Sequence, residues 1–181
     1  MTTPNPIKQQ PSGKSIGKGM LVASFCLGLL GLTFLFDGWL ETQSNPNRDP
    51  FSIETSSGTR QVVLQQNRQG HYVAGGEING LPVTFLLDTG ATDVAIPASI
   101  ANKAGLSRGS ASQASTANGI ITVYDTQINE LTFGNITLKN ISASITPSMG
   151  GETILLGMSA LRKIDFSQQG STLTLRQLPE S

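Results

Sequence analysis

The sequence predicts a mainly β domain with one or two short helices, preceded by one transmembrane helix. Three observations carry this expectation. Charged residues make up 13% of the 181-residue chain and aromatics 6%, against 20 glycines; such a composition suits short strands and tight turns better than long helices. From Met20 to Phe36 no residue is charged. From Arg60 onward, short β-type runs alternate with turn signals. The same counts remove several function classes. Twelve basic residues against 12 acidic ones give a net charge of zero, so no basic field is present for nucleic acid. A single Cys excludes an internal disulfide framework, and a single His argues against a His-based zinc site. A P-loop is absent. No metal and no cofactor are expected.

Residues 1–18 hold Pro4, Pro6 and Pro11 with Lys8, Lys14 and Lys18, and no acidic residue. They read as a disordered basic tail. Residues 19–40 are long enough to cross a hydrocarbon core of ~30 Å at ~1.5 Å per residue, with Asp37 at the far interface and Trp39 as its aromatic anchor. A cleaved signal would need a shorter apolar core, ~7–15 residues, and a small-x-small site. Phe36-Asp37-Gly38-Trp39-Leu40-Glu41 offers none. Cys26 lies mid-span after Phe25 and reads as a small apolar residue in lipid. Lysines before the span and acids after it keep the N-terminus cytoplasmic. Everything beyond then faces outward, or into the periplasm of a two-membrane bacterium. Residues 41–59 lack periodicity and read as a linker.

Residues 60–178 are expected to form one domain. Gln61–Gln66 and His71–Ile78 are strand candidates, followed by the hairpin signal Asn79-Gly80 and the apolar run Val83–Leu87. Asp93–Ile96 is a short strand, and Pro97–Leu106 a helix opened by its Pro and closed near Gly105. A second hairpin turns at Asn118-Gly119 between Gln113–Ala117 and Ile120–Ile128. Asn135–Ile145 alternates, Thr153–Leu156 is a buried strand, Met158–Lys163 a helical turn, and Ser171–Arg176 the last strand.

Phe85-Leu86-Leu87-Asp88-Thr89-Gly90-Ala91 carries the chemistry. An apolar strand holds the Asp88 carboxyl in place, Gly90 lets the chain turn away, and Thr89 can bond nearby backbone groups. Asp-Thr-Gly is also an ordinary turn composition. Asp125 and Asp165 lack a following Gly loop and read as surface acids. His71 and Tyr72 read as a strand pair, and nothing near His71 completes a nucleophile and base, so serine and cysteine hydrolase chemistry is not supported.

Further along stands Thr153-Ile154-Leu155-Leu156-Gly157, followed by Met158-Ser159-Ala160-Leu161. A first hairpin, the Asp-Thr-Gly-Ala loop, a second hairpin, then an apolar strand ending in Gly and a short helix: this order resembles the retropepsin-like aspartic proteases. The likeness covers roughly residues 70–176 and is strongest to the bacterial membrane-anchored branch, where one span precedes one protease domain. It implies a closed β-barrel like one lobe of an acid protease, in a bacterial inner membrane with the domain in the periplasm. It implies Asp88 as the catalytic acid/base and Thr89, Gly90 and Ala91 as its supporting loop. Leu155, Leu156 and Gly157 become the second-motif strand. Residues 113–124, with Ala117, Asn118 and Gly119 at the tip, become a flap over a peptide or protein substrate. In retroviral members a basic residue after the second Gly pairs with an acid after the catalytic loop; here those places hold Met158 and Thr92. Asp93 and Arg162 are the candidates to replace that pair. Hydrolysis of this type uses one carboxylate as base and one carboxylic acid, sharing a proton. The chain has one Asp-Thr-Gly, so the second Asp88 is expected from a second copy in a C2 homodimer. The competing expectation is a non-catalytic peptide-binding module on the same fold.

Overall fold

A computed structural model describes residues 14–116 and 119–179. The chain divides into two units, Met1–Leu40 and Glu41–Ser181. The first is helical: α1 runs Lys14–Ser44 and extends past the boundary. Within it Gly17–Leu40 is long and apolar enough to cross a membrane, with a mean hydropathy of 2.2 over its most apolar window. Its large side chains, such as Leu21, Phe25 and Phe34, are exposed all round. A helix of this kind fits a membrane span or a signal sequence.

The second unit is mainly β. Its elements are β1 (Phe51–Glu54), β2 (Arg60–Gln65), β3 (Val73–Ile78), β4 (Leu81–Leu87), β5 (Val94–Pro97), α2 (Ala98–Lys103), β6 (Ala111–Thr116), β7 (Gly119–Phe133), β8 (Ile136–Thr146), β9 (Thr153–Leu156), α3 (Met158–Leu161), β10 (Asp165–Gln169) and β11 (Thr172–Gln177). A seven-stranded sheet runs β3-β4-β9-β5-β8-β7-β6, and β3 also pairs with β7. That extra pairing, Glu77 with Thr132 and Ile78 with Leu131, closes the sheet on itself. The barrel interior is filled by Ile78, Phe85, Ile128, Leu131, Phe133, Ile141, Ile154 and Leu156, none more than 1% exposed. Phe85 and Phe133 meet edge to face at 6.4 Å. The Asn79-Gly80 hairpin forms as expected, with φ of 48° and 78°, as a two-residue turn with two positive φ requires.

The expectation of a bare linker over 41–59 does not hold. Phe51–Glu54 is a strand, paired antiparallel with β2 from Phe51 opposite Val63 to Glu54 opposite Arg60. It went unseen because its apolar residues, Phe51 and Ile53, face outward and four residues carry too little alternation. Asn47 is 4% exposed. Its Nδ2 donates to Gln65 O (3.0 Å) and Val73 O (2.7 Å), and its Oδ1 accepts from Gln65 N (2.7 Å). Its own carbonyl accepts from Gly75 N at 2.9 Å. The neighbouring Arg48 carbonyl lies so close to Gly75 that a Cβ there would overlap it. A polar side chain survives burial when every group it carries is bonded, and composition gives no sign of that. The strand β10 is likewise new: it holds one apolar residue, Phe166, and all five of its residues are exposed. Together β1-β2-β11-β10 form a four-stranded sheet.

Asn47→Ala leaves the backbone groups of Gln65 and Val73 without their partner. A loss of about 2–3 kcal/mol is expected at the cost of stranding buried polar groups, read as a lower urea midpoint with unchanged slope. A fragment starting at Arg60 should show the same loss or more, relative to one starting at Gln43.

Candidate active site

Asp88 follows directly on β4, and the reason it is held there lies in the sheet. β4 pairs antiparallel with β3, Leu86 opposite Val73, and parallel with β9, Leu87 opposite Leu156. Leu87 N donates to Tyr72 O at 3.0 Å and Asp88 N to Leu156 O at 3.1 Å. The backbone entering the loop is therefore anchored on both sides. The loop then turns on itself: Gly90 N donates to Asp88 Oδ1 at 2.9 Å, and Ala91 N to Asp88 O at 3.2 Å. One carboxylate oxygen is thus engaged by the loop backbone, and the half-buried side chain is oriented before any substrate arrives. Thr89 and Gly90 are exposed and Ala91 half-buried. Among the described residues the loop is held by the bonds of Asp88, Gly90, Ala91 and Thr92.

The second motif lies against the far side of this loop. Leu156 and Gly157 are buried and Leu155 is half-buried. A Cβ at residue 157 would overlap Asp93 O and stand 2.8 Å from Ala91 O, so glycine is required by close approach. Immediately after it, Met158 N donates to Ala91 O (2.8 Å) and Ser159 N to Thr92 O (2.9 Å). The Ser159 hydroxyl accepts from Val94 N at 3.0 Å and donates to Ser142 O at 2.7 Å. Where a charged pair was expected to brace the site, the chain uses backbone bonds and one hydroxyl. Asp93 and Arg162 do not supply the pair: Arg162 Nε donates to Met158 O at 2.9 Å. Sequence reasoning passed over Ser159, whose only signal was its place two residues beyond Gly157.

The second hairpin exists, with Thr116 opposite Gly119 and the Thr116 hydroxyl donating to Gly119 O at 2.8 Å. Ala117 and Asn118 lie outside the described residues. Gly119 is exposed, as is Ile120 beside it. At the base of the hairpin the Arg108 guanidinium lies over the Tyr124 ring at 5.1 Å. Asp93, Asp125 and Asp165 are all exposed, and so is His71; Tyr72 is in the core. Among the described residues no three His, Cys, Asp or Glu side chains converge as a metal site would need. A concavity of about 1200 Å³ lies elsewhere, walled by Arg48, Asp49, Gly75, Thr84 and Thr137. Asp88 does not line it. Glu152, before β9, takes a 2.9 Å ion pair from Lys103 of α2. That hydrogen bond and the charge of Lys103 hold its carboxyl below the usual range. Its contribution is present above the ordinary Glu range and fades as pH falls through the lowered value.

Gly157→Ala should destabilise the domain by at least about 2 kcal/mol, the scale of forcing a group into packed backbone. Ser159→Ala should cost about 1–3 kcal/mol by stranding Val94 N and Ser142 O. Urea unfolding of both variants checks the order.

Comparison with known proteins agrees with this geometry. A family model described as "gag-polyprotein putative aspartyl protease" matches residues 74–163. An uncharacterized protein encoded in the cobV 5′ region of a Sinorhizobium species is 32% identical over 119 residues, which is 64% of this chain and 51% of that protein. The chain therefore spans about half the length of that relative. Among solved structures, a retropepsin-like aspartic protease from Rickettsia conorii superposes with a TM-score of 0.54 at 22% identity, covering 71% of this chain and 95% of that one. The EIAV protease complexed with the inhibitor HBY-793 gives 0.44 at 20% identity, covering 55% and 92%.

Proposed function

The chain belongs to the retropepsin-like aspartic protease family, and on that premise we propose that it is a membrane-anchored aspartic endopeptidase whose active site is shared by two copies. The observation that carries this is the Asp88 carboxyl, oriented by Gly90 N at 2.9 Å at the tip of a strand gripped from both sides. A turn former needs no such grip.

One carboxyl cannot serve as both base and acid at once. Two carboxyls about 3 Å apart share a single proton, because both cannot ionise cheaply at that distance. The unprotonated Asp88 takes a proton from water while the hydroxide attacks the scissile carbonyl carbon. The protonated Asp88 of the second copy gives its proton to the carbonyl oxygen. The tetrahedral diol then gives one hydroxyl proton to the ionised carboxyl, while the protonated carboxyl passes its proton to the amide nitrogen. The C–N bond breaks, releasing an amine and a carboxylic acid, and the pair again holds one proton. Asp93, Asp125 and Asp165 are exposed, and Asp125 and Asp165 stand on β7 and β10, which favours a second Asp88 over a second acid in the chain. The β6–β7 hairpin, carrying exposed Ile120, is the segment suited to cover a bound peptide, with its tip at Ala117, Asn118 and Gly119.

Asp88→Asn should abolish hydrolysis of a denatured protein substrate while leaving fold and mass unchanged. Wild-type activity should be bell-shaped in pH below neutrality, its two limbs belonging to the pair. Mixing wild type with excess Asp88→Asn should reduce activity as the square of the wild-type fraction when subunits exchange and pair at random. A linear dependence with proven exchange would mean that each chain works alone. Peptide binding that persists in Asp88→Asn, with no turnover by wild type, would favour a binding module.

Residues 19–40 of this apolar helix are assigned as an uncleaved anchor with the N-terminus in the cytoplasm, since Lys8, Lys14 and Lys18 precede them. A reporter fused after Ser181 should work only outside the cytoplasm. Activity of the reporter inside would overturn the orientation, and a mature chain starting beyond residue 41 would replace the anchor by a cleaved signal.

A further inference from the structure

Once the apolar helix is set aside, few large apolar side chains stand in the open. Among the described residues of the second unit they are Phe51, Ile53, Ile120, Phe166 and Leu178. Two of these share one short strand, β1, where Phe51 is 65% and Ile53 42% exposed. Alternation along a strand puts both on the same face. Ser52 between them points the other way, to where a Cβ on Gly134 would overlap its hydroxyl. Val63 of β2 lies opposite Phe51 and is half-buried, so the apolar surface continues one strand inward. It stops there, because the next residues in that row are Thr174 and Ser167. Arg48, Asp49 and Glu54, all exposed, border it along the chain. An apolar patch with a polar rim marks a surface that something else covers. Another strand is not what this edge takes. Asn135 Nδ2 donates to Ile53 O at 2.9 Å, so the turn between β7 and β8 already occupies the backbone side. What β1 presents is its side chains.

We propose that Phe51 and Ile53 rest in the headgroup–acyl boundary of a bilayer, so that β1 seats the domain on the membrane that anchors it. The assignment rests on the uncleaved anchor proposed above, and the length of the tether carries it. On that reading Leu40 ends the span, with Trp39 at the far interface. The backbone stays helical through Ser44, and Asn47 is already bonded into the domain at Gln65, Val73 and Gly75. Four helical residues and three extended ones span at most about 17 Å. The headgroup layer alone takes up about 5–8 Å of that. Asn47 is therefore held close above the lipid, and Phe51 follows it by four residues. The exposed apolar pair on β1 is thus the one nearest along the chain to the bilayer, a place that Ile120, Phe166 and Leu178 do not share. An apolar protein face lies in this boundary at a depth of about 5–10 Å, and its hold grows with the apolar area it buries. Two side chains bury little. A tethered domain nevertheless meets the surface at a high effective concentration, so a weak contact suffices.

The full chain in lipid vesicles tests this. Cys26 is the one cysteine, so in a Cys26→Ala background a single introduced cysteine can carry the environment-sensitive dye NBD. Labels at Phe51→Cys and at Ile53→Cys should emit to the blue of a label at Ser115→Cys, an exposed position on β6. Lipids with a spin-label quencher near the headgroup should quench both at least about twofold more than the β6 label, and more than a quencher at the acyl chain end does. Phe51→Glu should return the label at Ile53→Cys to water. Circular dichroism should not change, because Phe51 is exposed and fills no core. Labels on β1 as wet as the one on β6, in a chain that floats with the vesicles, would overturn the seating and leave the anchor standing. A blue shift without lipid quenching, lost on dilution to one chain per vesicle, would mean that a second copy covers the patch and would overturn it as well. A chain that does not float with the vesicles would remove anchor and seating together.

Discussion

The carbonyls of Ala91 and Asp93 lie so near the backbone of residue 157 that no side chain fits between them. Much of the domain is arranged around that approach. It requires β4 and β9 to run parallel and adjacent, Leu87 opposite Leu156, although they are nearly seventy residues apart in the chain. A parallel pair needs a long crossover, and here the crossover is β5, α2 and the β6-β7-β8 meander. The Asp88 loop is therefore not a local motif that can form by itself. It exists only when the barrel has closed, and its integrity reports on the whole fold. Contacts of such separation also make folding slow relative to a helical domain of similar size.

Bracing by backbone groups and one hydroxyl suits this arrangement. Met158 N and Ser159 N hold the loop carbonyls, and the Ser159 hydroxyl links β5 to β8. A buried ion pair in the same place would have to recover the cost of removing two charges from water. Neutral hydrogen bonds carry no such cost and do not depend on pH. The chain can therefore keep these loop bonds across the acid range in which a carboxyl pair would work, while the exposed ion pair of Lys103 with Glu152 sits outside the loop.

Where the sequence was legible, the signal was a contrast between neighbours. The barrel strands read well because buried and exposed residues alternate, as in β8, where Ile136, Leu138, Ile141, Ala143 and Ile145 point inward. Asn79-Gly80 read as a turn because few residues accept two positive φ in succession. Asp88 and Gly157 were visible as motif residues. What escaped has no contrast to read. Asn47 is a polar residue in polar company, buried because Asn45, Gln65, Val73 and Gly75 between them satisfy every group it has. β1 and β10 are exposed and nearly without alternation, held by pairing with β2 and β11, the strands that follow them. Ser159 looks like any serine until the two strands it joins are placed on either side of it.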